Sequence, residues 1–344
     1  MSTTTSIEWT RGDDGSAGAT WNPVTGCTKV SEGCDHCYAE TFAERWRGVP
    51  GHPVEQGFDV RLWPERLGLP LRWRKPKRIF LNSMSDLWHD AVGTEFIARV
   101  FAVMTLAERH TFRVLTKRPG RMRSALASDR FWEMVRDAVL DFGPPSPAAE
   151  AAIRSRFLPN LWLGVSVETQ KWAAVRLDKL AATAAGPVRF ASCEPLLGPL
   201  DLRPWLGSGL DWVITGGESG PKARPVHPDW VRSIRGQCRA SGAAFLHKQW
   251  GEYLPVPVMD DPAFAGGRAI DHPKGGRVAA VIQEASGPFR TGATRPMRAG
   301  DRNGHGLMLD DDTMAVRVGK GRAGRLLDGR TWDEFPQAAA RVPA

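Results

Sequence analysis

Between residues 78 and 250 the chain alternates between two hydrophobic periods. Six short, mostly apolar runs recur: RIFLNS (78–83), TFRVLT (111–116), LWLGVSV (161–167), PVRFAS (187–192), LDWVITG (210–216) and AAFLHK (243–248). Each ends in polar residues or glycine. Apolar runs without polar alternation are what parallel strands covered on both faces display. The stretches between them follow a helical period. Thr94 is an expected N-cap, and Phe96, Ile97, Val100, Phe101 and Met104 form one apolar stripe behind it. Trp172, Val175 and Leu180 form a second. Further on, Pro228 suits a first helical turn, Trp230, Ile234 and Cys238 share a face, and Gly242 suits the C′ position. Cys238 is thereby assigned to the core.

Strands alternating with helices over this length predict an α/β fold of βα repeats with right-handed crossovers. A (β/α) barrel and an open doubly wound sheet both fit, and we take a six-unit, TIM-like partial barrel with a C-terminal extension as the expectation. Either places the active site at the carboxyl ends of the strands. Those ends are the polar segments NSMSD, LTKRP, GVSVET, SCEP, TGGESG and HKQWG. The expected organisation is a barrel domain over residues 1–251, with a helical insertion around 124–160 that carries GPPSPAAEAA. A loop-rich extension over 252–344 follows, with short strands at RVAAVIQ and GLMLDD.

Composition bounds this picture. The 344 residues are 42% hydrophobic and 24% charged, enough for one large α/β domain or two smaller ones. The start, MSTTTSIEWTRGDDG, lacks the apolar core of a secretory signal, and VFAVMTLA is too short to span a bilayer. A cytoplasmic protein with no membrane partner is expected. Net charge is +8, which favours an anionic partner such as a nucleic acid or nucleotide, although an arginine-rich proteome produces the same balance. Five cysteines, an odd count, do not make a disulfide framework in a chain this long.

Three of them cluster in TWNPVTGCTKVSEGCDHCYAETFAERW (20–46), as Cys27, six residues, Cys34, two residues, Cys37. Three exposed thiols in one loop are an oxidation liability unless they serve a metal. A structural zinc needs a fourth protein ligand. A [4Fe–4S] cluster with three cysteine ligands leaves one iron open for a cofactor or substrate. Both readings stand at this point.

The stretch resembles a variant of the cluster motif of the radical S-adenosylmethionine superfamily, whose usual form is Cys-x3-Cys-x2-Cys. Together with SMSDLWH, LTKRP, GVSVE, SCEPLLGP, GGESGPKARP and KQWGE, it is similar to a phage- and prophage-associated family of three-cysteine-motif proteins. There is also a distant likeness to the photoproduct-lyase branch. The resemblance implies Cys27, Cys34 and Cys37 as ligands of a [4Fe–4S] cluster that binds S-adenosyl-L-methionine, with an electron donor as partner. It implies cofactor contacts from His36 near the adenine, from Ser83, Ser85 and Asp86 at the methionine amino group, and from Ser166 and Glu168 at the ribose or carboxylate. Glu194, Gly216, Gly217 and Glu218 would complete that set. Lys117, Arg118 and Lys248 would supply positive charge for substrate. The expected activity is modification or repair of a nucleic acid base or nucleotide through a 5′-deoxyadenosyl radical. Plain structural roles compete: Ser85, Asp86 and Ser166 as helix N-caps, GGESG as a loop, and Cys193 as a buried strand-end residue. The competing function is a zinc-stabilised nucleic-acid-binding or nuclease-like phage protein.

Overall fold

The computed structural model describes residues 4–12, 14–259, 268–271, 277–280, 306–310 and 313–336. All six apolar runs form strands. The main sheet contains β1 (Thr4–Thr5), β2 (Gly18–Thr20), β3 (Arg78–Leu81), β4 (Thr111–Thr116), β5 (Leu161–Ser166), β6 (Val188–Cys193), β7 (Trp212–Gly216) and β8 (Ala244–Gln249). Their spatial order equals their chain order. Neighbours from β2 to β8 pair in parallel, and β1 joins β2 antiparallel. A doubly wound sheet reverses its strand order at a switch point, whereas barrel winding never does. The sheet is a curled half-barrel with seven parallel strands, one more than six repeats supply.

The strands are mostly apolar on both faces, with Arg113, Arg189 and His247 as buried exceptions, because each face meets a different layer. Outward residues such as Ile79, Val114, Leu163, Ala191, Val213 and Phe245 join one large core with the helices. Prominent among these is α2 (Thr94–Leu106), which follows α1 (Tyr38–Glu44) and whose N-cap position falls on Gly93, one residue before the expected Thr94. Inward residues Phe80, Trp162, Phe190, Trp212, Ile214 and Leu246 form a second cluster with Trp9. A Cβ on Gly164 would lie 2.3 Å from the Phe190 ring, so only glycine lets that ring fill the interior. Trp9 enters from the turn Glu8–Thr10 and meets Phe80 edge-on at 4.5 Å, while Phe335 lies 5.3 Å from Trp212. The inner floor of the half-barrel is therefore closed by aromatic rings.

The region expected as a helical insertion carries the end of α3 (Pro119–Leu126), then α4 (Asp129–Val139) and α5 (Pro147–Ser155). In α6 (Gln170–Ala181), Leu180 is buried as expected, but Val175 is 44% exposed and Arg176 and Leu177 take the buried side in its place. In α7 (Pro228–Ser241) Pro228 opens the helix and Gly242 ends it at φ 76°, both as expected. Cys238 is buried there, and burial pushes its thiol up to about 12. The extension contains β9 (Tyr253–Met259), β10 (Arg268–Asp271), β11 (Arg277–Ala280), β12 (Gly306–Met308) and β13 (Thr313–Arg317), paired antiparallel in the order β11-β10-β9-β13-β12. Residues 281–283 of RVAAVIQ lie outside the described residues. The tail then returns to β8, where the Glu334 N–H donates to the Phe245 carbonyl. Among the described residues no helix is long and apolar enough to cross a membrane.

One fully buried histidine makes the fold sensitive to acid. His247, on β8, holds Nδ1 3.0 Å from Thr215 Oγ1, and burial pushes its pKa down to about 3. The unfolded chain, with an ordinary histidine, binds the extra proton first, so stability falls as pH drops from about 6.5 toward 3. Between pH 7 and pH 5 the wild type is expected to lose about 2 kcal/mol more than His247→Gln, read from urea midpoints. Equal pH slopes in the two proteins would remove the assignment.

Candidate functional site

All seven parallel strands point their carboxyl ends to one side, and the three-cysteine loop lies across that mouth. It leaves β2 and is tied down at its root by the segment after β3. Asn22 Nδ2 donates to Ser83 Oγ at 3.0 Å, Ser85 Oγ donates to the Val24 carbonyl at 2.8 Å, and Asn82 Nδ2 donates to Ser85 Oγ at 2.7 Å. Tyr38, the first residue of α1, donates its hydroxyl to the Ser83 carbonyl at 2.6 Å. Cys27, Cys34 and Cys37 are free, half-buried thiols.

Three consecutive strands end alike, a repeat visible in the sequence: Ser166-Val-Glu168 after β5, Ser192-Cys-Glu194 after β6 and Gly216-Gly-Glu218 after β7. Side chains alternate along a strand, so spacing two puts Ser166 and Glu168, and likewise Ser192 and Glu194, on the inward side. Ser166 and Ser192 are direct cross-strand neighbours. Each glutamate meets a cation: Glu168 pairs with Arg176 at 2.6 Å and Lys117 at 3.6 Å, Glu194 with Lys248 at 3.0 Å, and Glu218 with Arg224. The mouth is a polar ring above an aromatic floor.

The loop itself is held from several strand ends at once. Arg118, after β4, donates to Cys27 Sγ at 3.4 Å and, through Nη2, to both the carbonyl and hydroxyl of Thr28. The Thr28 hydroxyl also meets His89 Nε2 at 2.9 Å. Ser31 donates to Glu168 Oε1. Glu32 accepts from Thr169 Oγ1 at 3.0 Å and from Trp172 Nε1 at 2.7 Å, and its carbonyl accepts from Arg224 Nη2 at 2.8 Å. Buried Asp86 organises the neighbouring strand end, accepting from Thr116 Oγ1, the Lys117 N–H and the Trp88 N–H.

Burial raises the thiol pKa of Cys27, with Asp86 adding to the rise and Arg118 opposing it. Burial likewise raises Cys37. Without a bound cation both sulfurs therefore favour the protonated form, and a metal must displace protons to bind. The Glu218 carboxylate raises Arg224, and burial lowers His89.

Zinc–sulfur bonds of about 2.3 Å require thiolates about 4 Å apart in a tetrahedral site. Among the described residues, the one trio of metal-type donors within 4.8 Å of each other is His227, Asp229 and Asp310, which excludes the cysteines. Among the described residues the five cysteines show no cluster-like arrangement in the metal-free chain.

Of the residues singled out in the sequence, Ser83, Ser85, Asp86, Arg118, Glu168, Glu194, Glu218, Lys117 and Lys248 make polar side-chain contacts to other protein residues at this mouth. Gly216 and Gly217 permit close approach of the Glu194 carboxylate and the Trp250 carbonyl, respectively. Ser166 contributes its carbonyl to Arg176. His36 is half-buried, and among the described residues its ring has no hydrogen-bond partner. Sequence reasoning passed over Ser31, Glu32, Trp172, Arg176 and Arg224. The repeated strand-end glutamates were the available signal, since each such buried acid requires a cation nearby.

The sequence model of a family described as "Protein of unknown function (DUF5131)" matches residues 4–336. No curated protein and no solved structure matches.

Proposed function

We propose that this chain, which belongs to the DUF5131 family, is an iron–sulfur enzyme of the radical S-adenosylmethionine type acting on a nucleic acid base or nucleotide. The observation that carries the reading is the placement of three free thiols on one loop across the carboxyl mouth of a half-barrel wound in chain order. When bound, a cluster with one open iron supplies one-electron cleavage of S-adenosyl-L-methionine, given an external electron donor.

The chain's own residues do the rest. Cys27, Cys34 and Cys37 hold the metal, and the Arg118 guanidinium at 3.4 Å offsets the negative charge gathered on Cys27. The Glu194–Lys248 pair and Lys117 line the inward ring, where they suit the ammonium, carboxylate or phosphate of bound molecules. Below them Trp9, Phe190 and Trp212 exclude water from the interior. The net charge of +8 draws an anionic substrate to the mouth.

Anaerobic purification and reconstitution with ferrous iron and sulfide test the proposal. The expected result is a brown protein with about four irons per chain that releases 5′-deoxyadenosine when reduced with S-adenosyl-L-methionine. A colourless protein that retains one zinc would overturn it in favour of a zinc-stabilised nucleic-acid-binding protein.

A further inference from the structure

The segment from Cys27 to Cys37 has only one short turn of its own, Glu32–Cys34. Besides the Cys27 N–H on the Phe58 carbonyl, it is held mainly by contacts with side chains. Its central tie is to Glu168, a residue with no solvent exposure. Glu168 Oε2 accepts from Arg176 Nη1 at 2.6 Å, and Oε1 accepts the Ser31 hydroxyl. A Cβ on Gly33 would fall 2.2 Å from Glu168 Cγ, so the loop backbone lies directly against this side chain. Both carboxylate oxygens are thus engaged by protein, one by the scaffold and one by the loop.

We infer that Glu168 is a positioning residue, a latch that sets the three-cysteine loop over the mouth before any metal arrives. Arg176 fixes the carboxylate from beneath, Ser31 is the catch on the loop side, and Gly33 provides the clearance. Metal capture then does not have to order the loop. Arg118 on Thr28 and Arg224 on the Glu32 carbonyl hold the same segment at its two flanks. The inference rests on Cys27, Cys34 and Cys37 being metal ligands, but its first readout needs no metal.

That readout is the rate at which the metal-free full chain reacts with an aromatic disulfide reagent. Cys193 and Cys238 are buried and stay silent, so the fast phase reports the loop thiols. Ser31→Ala removes the catch without touching the buried pair. Because Ser31 Oγ also lies 3.9 Å from Cys34 Sγ, the comparison is made in a Cys34→Ala background, where the fast phase reports Cys27 and Cys37. There Ser31→Ala is expected to speed the fast phase about tenfold, the weight of one hydrogen bond to a charged group. Its melting temperature should equal that of the Cys34→Ala parent, and Ser31→Thr, which keeps the hydroxyl, should return the parent rate. Glu168→Gln keeps one acceptor oxygen and should fall between them. With Cys34 in place, uptake of ferrous iron and sulfide should decline in the same order across the variants. Unchanged labelling rates in Ser31→Ala and Glu168→Gln would overturn the latch. Faster labelling, in a protein that takes up no iron even with Cys34 in place, would support the latch while removing the cluster proposal, so the two fail separately.

Discussion

Cys34→Ala is expected to abolish the bound iron, from about four atoms per chain to background, together with the colour and the release of 5′-deoxyadenosine. Three thiolates are the entire protein ligand set of such a cluster, and two cannot retain it against the loss of the third. Cys34 is the informative position because its sulfur is half-buried, and its nearest hydrogen-bond contact is Ser31 Oγ, 3.9 Å away. Its removal costs the fold less than about 1 kcal/mol, so lost colour cannot be attributed to unfolding. Cys27→Ala and Cys37→Ala should behave alike in iron content. Cys238→Ala provides the opposite control: it lies in the core against the helices, and its variant should keep the iron at some expense in stability. Iron retained in Cys34→Ala, measured by colorimetric iron and sulfide assay, would break the assignment of this ligand.

The second large effect falls on stability. Arg176→Met is expected to destabilise the protein by about 3–5 kcal/mol, because it leaves the Glu168 carboxylate buried without its closest cation. Arg176 has no solvent exposure, donates to the Ser166 carbonyl at 2.8 Å as well as to Glu168, and stacks its guanidinium 4.3 Å from the Trp172 ring. Burial itself lowers the Arg176 pKa and the Glu168 carboxylate opposes that, the balance expected of a desolvated pair. Lys117, at 3.6 Å from the same carboxylate, compensates only in part. The double variant Arg176→Met, Glu168→Leu should be more stable than Arg176→Met alone, since no uncompensated charge is left inside. Chemical denaturation of the three proteins decides this. A double variant less stable than the single would show that the pair contributes through packing on Trp172 and not through charge.

Much of the barrel was legible because its strands are buried on both faces. RIFL, TFRVLT and VRFASC advertise themselves as apolar runs, and their polar ends mark the mouth. Gly18–Thr20 has only Ala19 as an apolar side chain, so this parallel strand leaves no run to detect, although it precedes the cysteine loop and sets its height. Val175 fitted a helical stripe by spacing, yet α6 turns Arg176 inward to meet Glu168, and a buried charge cannot be anticipated from periodicity. The strand-end acids were visible as individual residues, and their partners were not. Arg176 lies eight positions after Glu168, on the following helix, and Arg224 lies in a loop beyond Glu218. Only the folded chain brings them into register with Ser31 and Glu32.

The aromatic floor has a consequence for synthesis. Trp9 and Phe335 stand near opposite ends of the sequence, yet both pack on Trp212. A ribosome adding about 5–20 residues per second needs roughly a quarter of a minute to a minute to reach Phe335 after Trp9 has been added. Throughout that interval Trp9, Phe80, Trp162 and Phe190 lack their last cover, and such non-local closure is intrinsically slow. The nascent chain therefore keeps an aromatic surface incompletely covered until the segment carrying Phe335 docks.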